Sequence, residues 1–245
     1  MPPPPPDFTA ALSLGDAPWT PDAAAAAARG VVAHLLYARA QAPYPLEIPS
    51  DASSDEKNVP PGPALRGREA AIARLEARAG AALAALAPPL FARGGRLLIL
   101  FGPSVQRPIE AYDVAVAPAT ASEGGPPAAA AARAASRALL AAALPRGPAT
   151  RRATGVHILV AAPAAAAPPG LAPRRGVAPA LSRALRVFLS LAPGGRGGRQ
   201  AVKEKAGAAD DVIWWAAPAL AGVAPTGAEG ASRRPPPATP PADPP

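Results

Sequence analysis

The chain has 245 residues and a formal net charge of +8, but much of that length is poor core material. Ala, Pro and Gly together make up 127 residues, the aromatics are three Trp, three Tyr and four Phe, and the 49% hydrophobic content is mostly Ala. Ala buries little area, and burial stabilises at roughly 25 cal/mol per Å². Without Cys there is no disulfide framework, thiol nucleophile or Cys-ligated metal. No apolar run approaches the ~18 residues of a membrane span, and the opening MPPPPPD lacks the basic and apolar regions of a secretory signal. The expectation is a soluble intracellular chain with one modest core and Ala/Pro-rich padding.

In chain order, residues 1–20 read as a Pro-rich, disordered N-terminal tail whose only anchors are Phe8, Leu12, Leu14 and Trp19. Thr20-Pro21-Asp22 is a helix start, with a capping hydroxyl, Pro in the first turn and an early acid. The helix is predicted to run to Ala42, with Val31, Val32, Leu35, Leu36 and the stem of Arg39 as its apolar stripe. Pro43, Pro45 and Pro49 forbid continuation, and residues 50–63 read as a surface loop.

A second helix fits 65–87, where Ile72, Leu75, Ala79, Leu83, Leu86 and Leu90 recur at helical spacing. Arg96–Gly102 is a short apolar run that reads as a central strand, with alternating Tyr112–Val116 paired beside it. A third, Ala-rich helix is predicted over 127–144, ending on Leu139, Leu140 and Leu144. Val156–Val160, Arg186–Leu191 and Val212–Trp215 read as further strands, 194–207 as a flexible basic loop, and 224–245 as a disordered Pro-rich tail. The sum is α+β: three helices on one side of a mainly antiparallel sheet of four or five strands, in a domain spanning 21–223.

Catalytic chemistry finds little material. His34 and His157 are the only histidines and fall on a predicted helix and a predicted strand. Two distant His without Cys do not make a metal site, so each reads as structural and no metal or cofactor is expected. Asp210 and Asp211 are adjacent, so on a strand they point to opposite faces. Gly194–Arg199 lacks the Lys-Ser/Thr of a phosphate-binding loop. A non-enzymatic binding protein is the expectation. One binding class follows from charge: residues 151–205 hold ten Lys/Arg against the single acid Glu204. The 174–205 region could therefore serve a nucleic-acid-associated protein, although no ladder of aromatics is interleaved to stack bases.

Three ordered blocks point elsewhere. The first is His34-Leu-Leu-Tyr-Ala-Arg-Ala-Gln-Ala-Pro-Tyr-Pro-Leu-Glu47. The second runs from Phe91 through Arg96-Leu-Leu-Ile-Leu-Phe-Gly102 to Glu110 and Tyr112. The third is Asp211-Val-Ile-Trp-Trp-Ala-Ala-Pro218, and a weaker fourth spans 172–191. Together they resemble the comet family, HORMA-like adaptors that bind the spindle-checkpoint protein Mad-two.

The resemblance implies a HORMA-like fold: three helices on a sheet closed by a C-terminal safety belt, here anchored by Ile213, Trp214 and Trp215. It also implies an adaptor that binds the closed conformer of Mad-two and delivers it to a hexameric AAA+ ATPase of the pachytene-checkpoint type. That activity silences the mitotic checkpoint, with a possible meiotic counterpart, in nucleus and cytoplasm and at the spindle or kinetochore. ATPase engagement falls on Pro173, Arg174 and Arg175, and partner binding on Ala38, Ser136, Arg137 and Leu140. Ala38 stands where the family has Gln, and Ser136 where it has Phe. Either the partner surface differs, or Arg137, Leu139 and Leu140 compensate, or affinity is lower.

Overall fold

The computed structural model describes residues 7–15, 17–46, 67–119, 123–145, 147, 149, 153–174, 184–193 and 212–223. The expected loops at 50–63 and 194–207, the residues Arg175, Asp210 and Asp211, and the segments 1–6 and 224–245 lie outside these.

Thr20 caps the first helix, α1 (Pro21–Ala38), as its sequence predicts: its hydroxyl accepts the Ala23 N–H at 3.2 Å. The helix stops four residues before Ala42 because a turn in left-handed conformation intervenes. Ala40 has φ 53°, the Gln41 N–H donates to the Leu36 carbonyl at 2.9 Å, and the Ala40 N–H donates to that of Tyr37. This is a Schellman ending with alanine where glycine is favoured, and the left-handed conformation costs an L-residue roughly 1–2 kcal/mol. Ala40→Gly should therefore stabilise the fold by a few tenths to about 1 kcal/mol. A denaturant midpoint that falls in this variant would contradict that account.

Every residue from Ala23 to Val32 is buried, so α1 runs through the middle of the helical layer. Small side chains permit this. A Cβ on Gly30 would sit 2.7 Å from the Ala132 carbonyl oxygen on α3 (Ala128–Ala141). The buried Arg29 donates Nε–H to the carbonyl of Leu86, the C-cap of α2 (Arg68–Ala85), placing a cation at a helix C-terminus. On α2, Leu75, Ala79 and Leu83 are buried, as their spacing predicts.

Eight strands form one sheet among the described residues, more than the four or five expected. They are β1 (Phe8–Ser13), β2 (Gly95–Phe101), β3 (Glu110–Val116), β4 (Gly155–Pro163), β5 (Ala172–Arg174), β6 (Leu185–Ala192), β7 (Val212–Ala216) and β8 (Leu220–Ala221). The order is β1-β6-β3-β2-β4-β7-β5, with β8 also on β4. The pairings are mostly antiparallel; β6 runs parallel to both β1 and β3.

Strand β1 corrects the expected tail. The prolines exclude helix but not extended chain, and Phe8, Ala10 and Leu12 alternate inward against the core while Thr9, Ala11 and Ser13 are exposed. Trp19 is fully buried, so the folded unit begins before residue 21.

One sheet face packs on the helices through Leu97, Ile99, Phe101, Tyr112, Val114, Ile158, Val160, Val187 and Leu189. The helix-free face carries a smaller cluster of Leu98, Leu100, Ala111 and Leu159, with Trp214 packed against it.

Candidate functional site

The most organised polar feature is a buried network that joins the end of α1 to the strands. Glu110 and Arg39 are almost completely buried and lie 2.9 Å apart (Glu110 Oε2 to Arg39 Nε). The Arg39 guanidinium also bonds the Tyr112 hydroxyl, lies 5.3 Å from that ring's centroid and donates Nη2–H to the Pro145 carbonyl at 2.7 Å. The Tyr112 hydroxyl donates to Glu110 Oε2 at 2.8 Å, and the other carboxylate oxygen accepts the Ala149 N–H at 2.5 Å. Burial, and then the neighbouring Glu110 charge, hold the Tyr112 hydroxyl protonated far above its ordinary range, against the opposing pull of Arg39. Both carboxylate oxygens, the Tyr112 hydroxyl and Arg39 Nε and Nη2 thus have partners, the condition under which a buried ion pair is tolerable.

The Ala40 turn then swings Gln41 into a second half of the same network. Its Nε2 donates to the carbonyls of Arg39 and Ala149 at 2.7 and 2.8 Å, and its Oε1 accepts the Thr154 N–H at 2.7 Å. Its backbone carbonyl accepts the Val223 N–H at 2.8 Å, while the Gly222 N–H donates to Thr154 at 2.9 Å. Close approach requires glycine at two points: a Cβ on Gly222 would lie 2.1 Å from Gln41 Oε1, and one on Gly147 2.0 Å from Glu110 Oε1. The C-terminal strands β7 and β8, which run back along β4, are in this way fastened to the end of α1.

The three expected anchors of that segment differ. Trp215 is buried on the helix side, 6% exposed, and Ile213 packs partly against the same core. Trp214 points to the helix-free face, only half-buried, with the Arg96 guanidinium 5.8 Å from its ring centroid and Arg96 paired to Asp113. The sequence held the signal, because adjacent residues of a strand face opposite ways. Pro173 and Arg174 form the exposed edge strand β5, where a residue without N–H is tolerated. Pro173 pairs with Trp215, and Arg174 with Trp214.

The expected partner face lies along the adjoining helices α1 and α3. Arg137 and Leu140 are exposed, Leu140 at 69%, and Ser136 and Ala38 are half-buried. Tyr37, exposed at 47%, precedes Ala38 at the end of α1. Tyr37 is not among the expected site residues, although its exposed ring stands off the apolar stripe of the helix.

His34 and His157 stay apart, one on α1 and one on β4. Burial lowers the pKa of both. Arg39 adds to the effect at His34; at His157 the Gly102 carbonyl opposes it and the Arg174 charge reinforces it. The unfolded chain takes up protons near pH 6.5 and the folded chain only at lower pH. Stability is therefore fully present above that value and falls as pH drops below it. Melting temperature should decline from pH 7 toward pH 5, and a His34→Gln, His157→Gln double variant should flatten the decline; an unchanged slope would contradict the assignment.

A scan against protein-family models finds no match to this chain, and a search of curated proteins finds none either. Among the described residues no cluster of metal-ligating side chains occurs, and no helix is long and apolar enough to cross a membrane.

Proposed function

We propose that this chain is a HORMA-like, non-enzymatic adaptor of the comet type. It binds the closed conformer of a checkpoint HORMA protein, Mad-two in the first instance, and presents it to a hexameric AAA+ remodelling ATPase. This reading places it in checkpoint silencing in nucleus and cytoplasm, at the spindle or kinetochore. The observation that carries the reading is the convergence of two separated sequence blocks: Arg39 and Gln41 from the first, Glu110 and Tyr112 from the second. They meet in one buried network, which also fastens the C-terminal segment that contains the third block.

On this reading the partner docks on the α1–α3 surface, with Tyr37 and Leu140 as apolar anchors where Ser136 cannot supply one. Arg137 and Ala38 lie in the same contact. The exposed Pro173-Arg174 strand is the grip for the ATPase, a stiff cationic edge whose charge speeds encounter more than it tightens binding. Arg175, the next residue, extends that charge. The partner is itself metastable: two packings of one chain that differ by a few kcal/mol are what an energy-driven machine can reset.

The test is a Pro173→Ala, Arg174→Ala double variant. It should lose most of its stimulation of the ATPase on the HORMA substrate, tenfold or more, while binding the HORMA partner as the parent does. Equal loss of both activities would overturn the assignment of β5. Nucleic-acid association through 174–205 remains the competing reading, and it predicts a steep log–log fall of affinity with salt. Of the cations in that region, the described Arg186 is already paired with Asp7 at 3.0 Å.

A further inference from the structure

Between α2 and the segment that follows α1 lies a cleft of about 340 Å³. Ala79 and Leu83 form a buried apolar floor, Leu46 and Pro45 form one wall, and Tyr44 and Glu76 stand at the rim. The Tyr44 hydroxyl donates to Glu76 Oε1, so an exposed aromatic is held over the cleft beside the one carboxylate that lines it among the described residues. The volume is at the small end of ligand pockets, enough for a side chain or two.

Gly80 lies in the same lining and is unusual in its context. Glycine is among the poorest helix formers, yet it interrupts a helix interior otherwise filled with Ala79, Ala81 and Ala82. At Gly30 the missing Cβ has a packing reason in the neighbouring helix. At Gly80 the described residues give none: no described atom lies within 4 Å of where the Cβ would be. Among the described residues this room lies over an apolar floor beside a single acid, Glu76. An acidic occupant would meet Glu76, whereas a cationic one would be complementary to it.

We infer that this cleft docks a short extended peptide of another protein, one that sets an apolar side chain on Ala79 and Leu83 and a neighbouring lysine or arginine against Glu76. The site is separate from the α1–α3 surface and from β5, so it stands or falls independently of the adaptor reading.

The experiment is fluorescence anisotropy on the full chain, with two short labelled peptides: one of leucine and arginine, the other of leucine and glutamate. The leucine–arginine peptide should bind saturably in the micromolar range, and the leucine–glutamate peptide at least tenfold more weakly. Gly80→Leu, which fills the cleft, should weaken binding tenfold or more while its melting temperature holds or rises, since leucine is the better helix former. Gly80→Ala gives the same test with the smallest plug, an expected loss of about threefold, should leucine disturb the helix. Glu76→Gln should bring the two peptides within a factor of about three of each other. Absence of saturable binding would overturn the proposal, including the case in which the chain's own residues 47–66 fill the cleft. So would equal binding of both peptides by the parent chain, or undiminished binding by both Gly80 variants.

Discussion

Glu110→Ala is expected to cost about 3–5 kcal/mol, the range for breaking a buried ion pair by removing one partner. The loss is large because the deletion strands three groups at once. The Arg39 guanidinium keeps its charge in a site with almost no access to water, the Tyr112 hydroxyl loses its acceptor, and the Ala149 N–H is left buried without one. Against a typical domain stability of about 5–15 kcal/mol this is a fifth of the total or more. The melting temperature should fall on the order of 10 °C. Glu110→Gln is the sharper comparison: the side chain keeps its shape and one acceptor but no longer compensates Arg39. It should lose less than the alanine variant and more than a surface substitution. An unfolding free energy, measured by chemical denaturation, that both variants leave within about 0.5 kcal/mol of the parent would show that the network does not hold the fold.

Trp215→Ala should also cost about 3–5 kcal/mol, as a large aromatic removed from a packed core. The residue sits between Val160 of β4 and Pro173 of β5 in the sheet register, on the helix side. Its truncation undoes the seat of β7 and, through β7, of β5. The indole N–H finds no acceptor among the described residues, so Trp215→Phe discards no hydrogen bond there and should cost much less than alanine. Trp214→Ala should lose only about 1–2 kcal/mol, the worth of a half-buried aromatic under an arginine. The order Trp215 above Trp214 is the check. The reverse order, measured by chemical denaturation, would contradict the placement of the two side chains.

Much of this architecture is legible in the residues themselves. The Thr20-Pro21 start, the α2 stripe through Leu75, Ala79 and Leu83, and the apolar run of β2 each carry a local signal. Strands β5 and β8 are two or three residues long and carry none. Strand β1 hides behind a run of prolines, and its parallel pairing with β6 depends on a partner about 180 residues away. The network illustrates the same limit: Arg39 reads from its spacing as an aliphatic stem on a helix stripe. Its role as the cation of a buried pair is set by Glu110 and Tyr112, 71 and 73 positions on. Charged residues inside apolar runs were the available clue, but only the fold shows which acid meets which base.

The adaptor reading is tested most directly by titration calorimetry of the purified chain with Mad-two held in its closed form, alongside the Leu140→Asp variant. The account predicts a one-to-one complex with a dissociation constant in the micromolar range or tighter. Leu140→Asp, folded by its melting curve, should weaken that complex at least tenfold. No heat of binding to the closed conformer, or a Leu140→Asp affinity equal to the parent's, would contradict it.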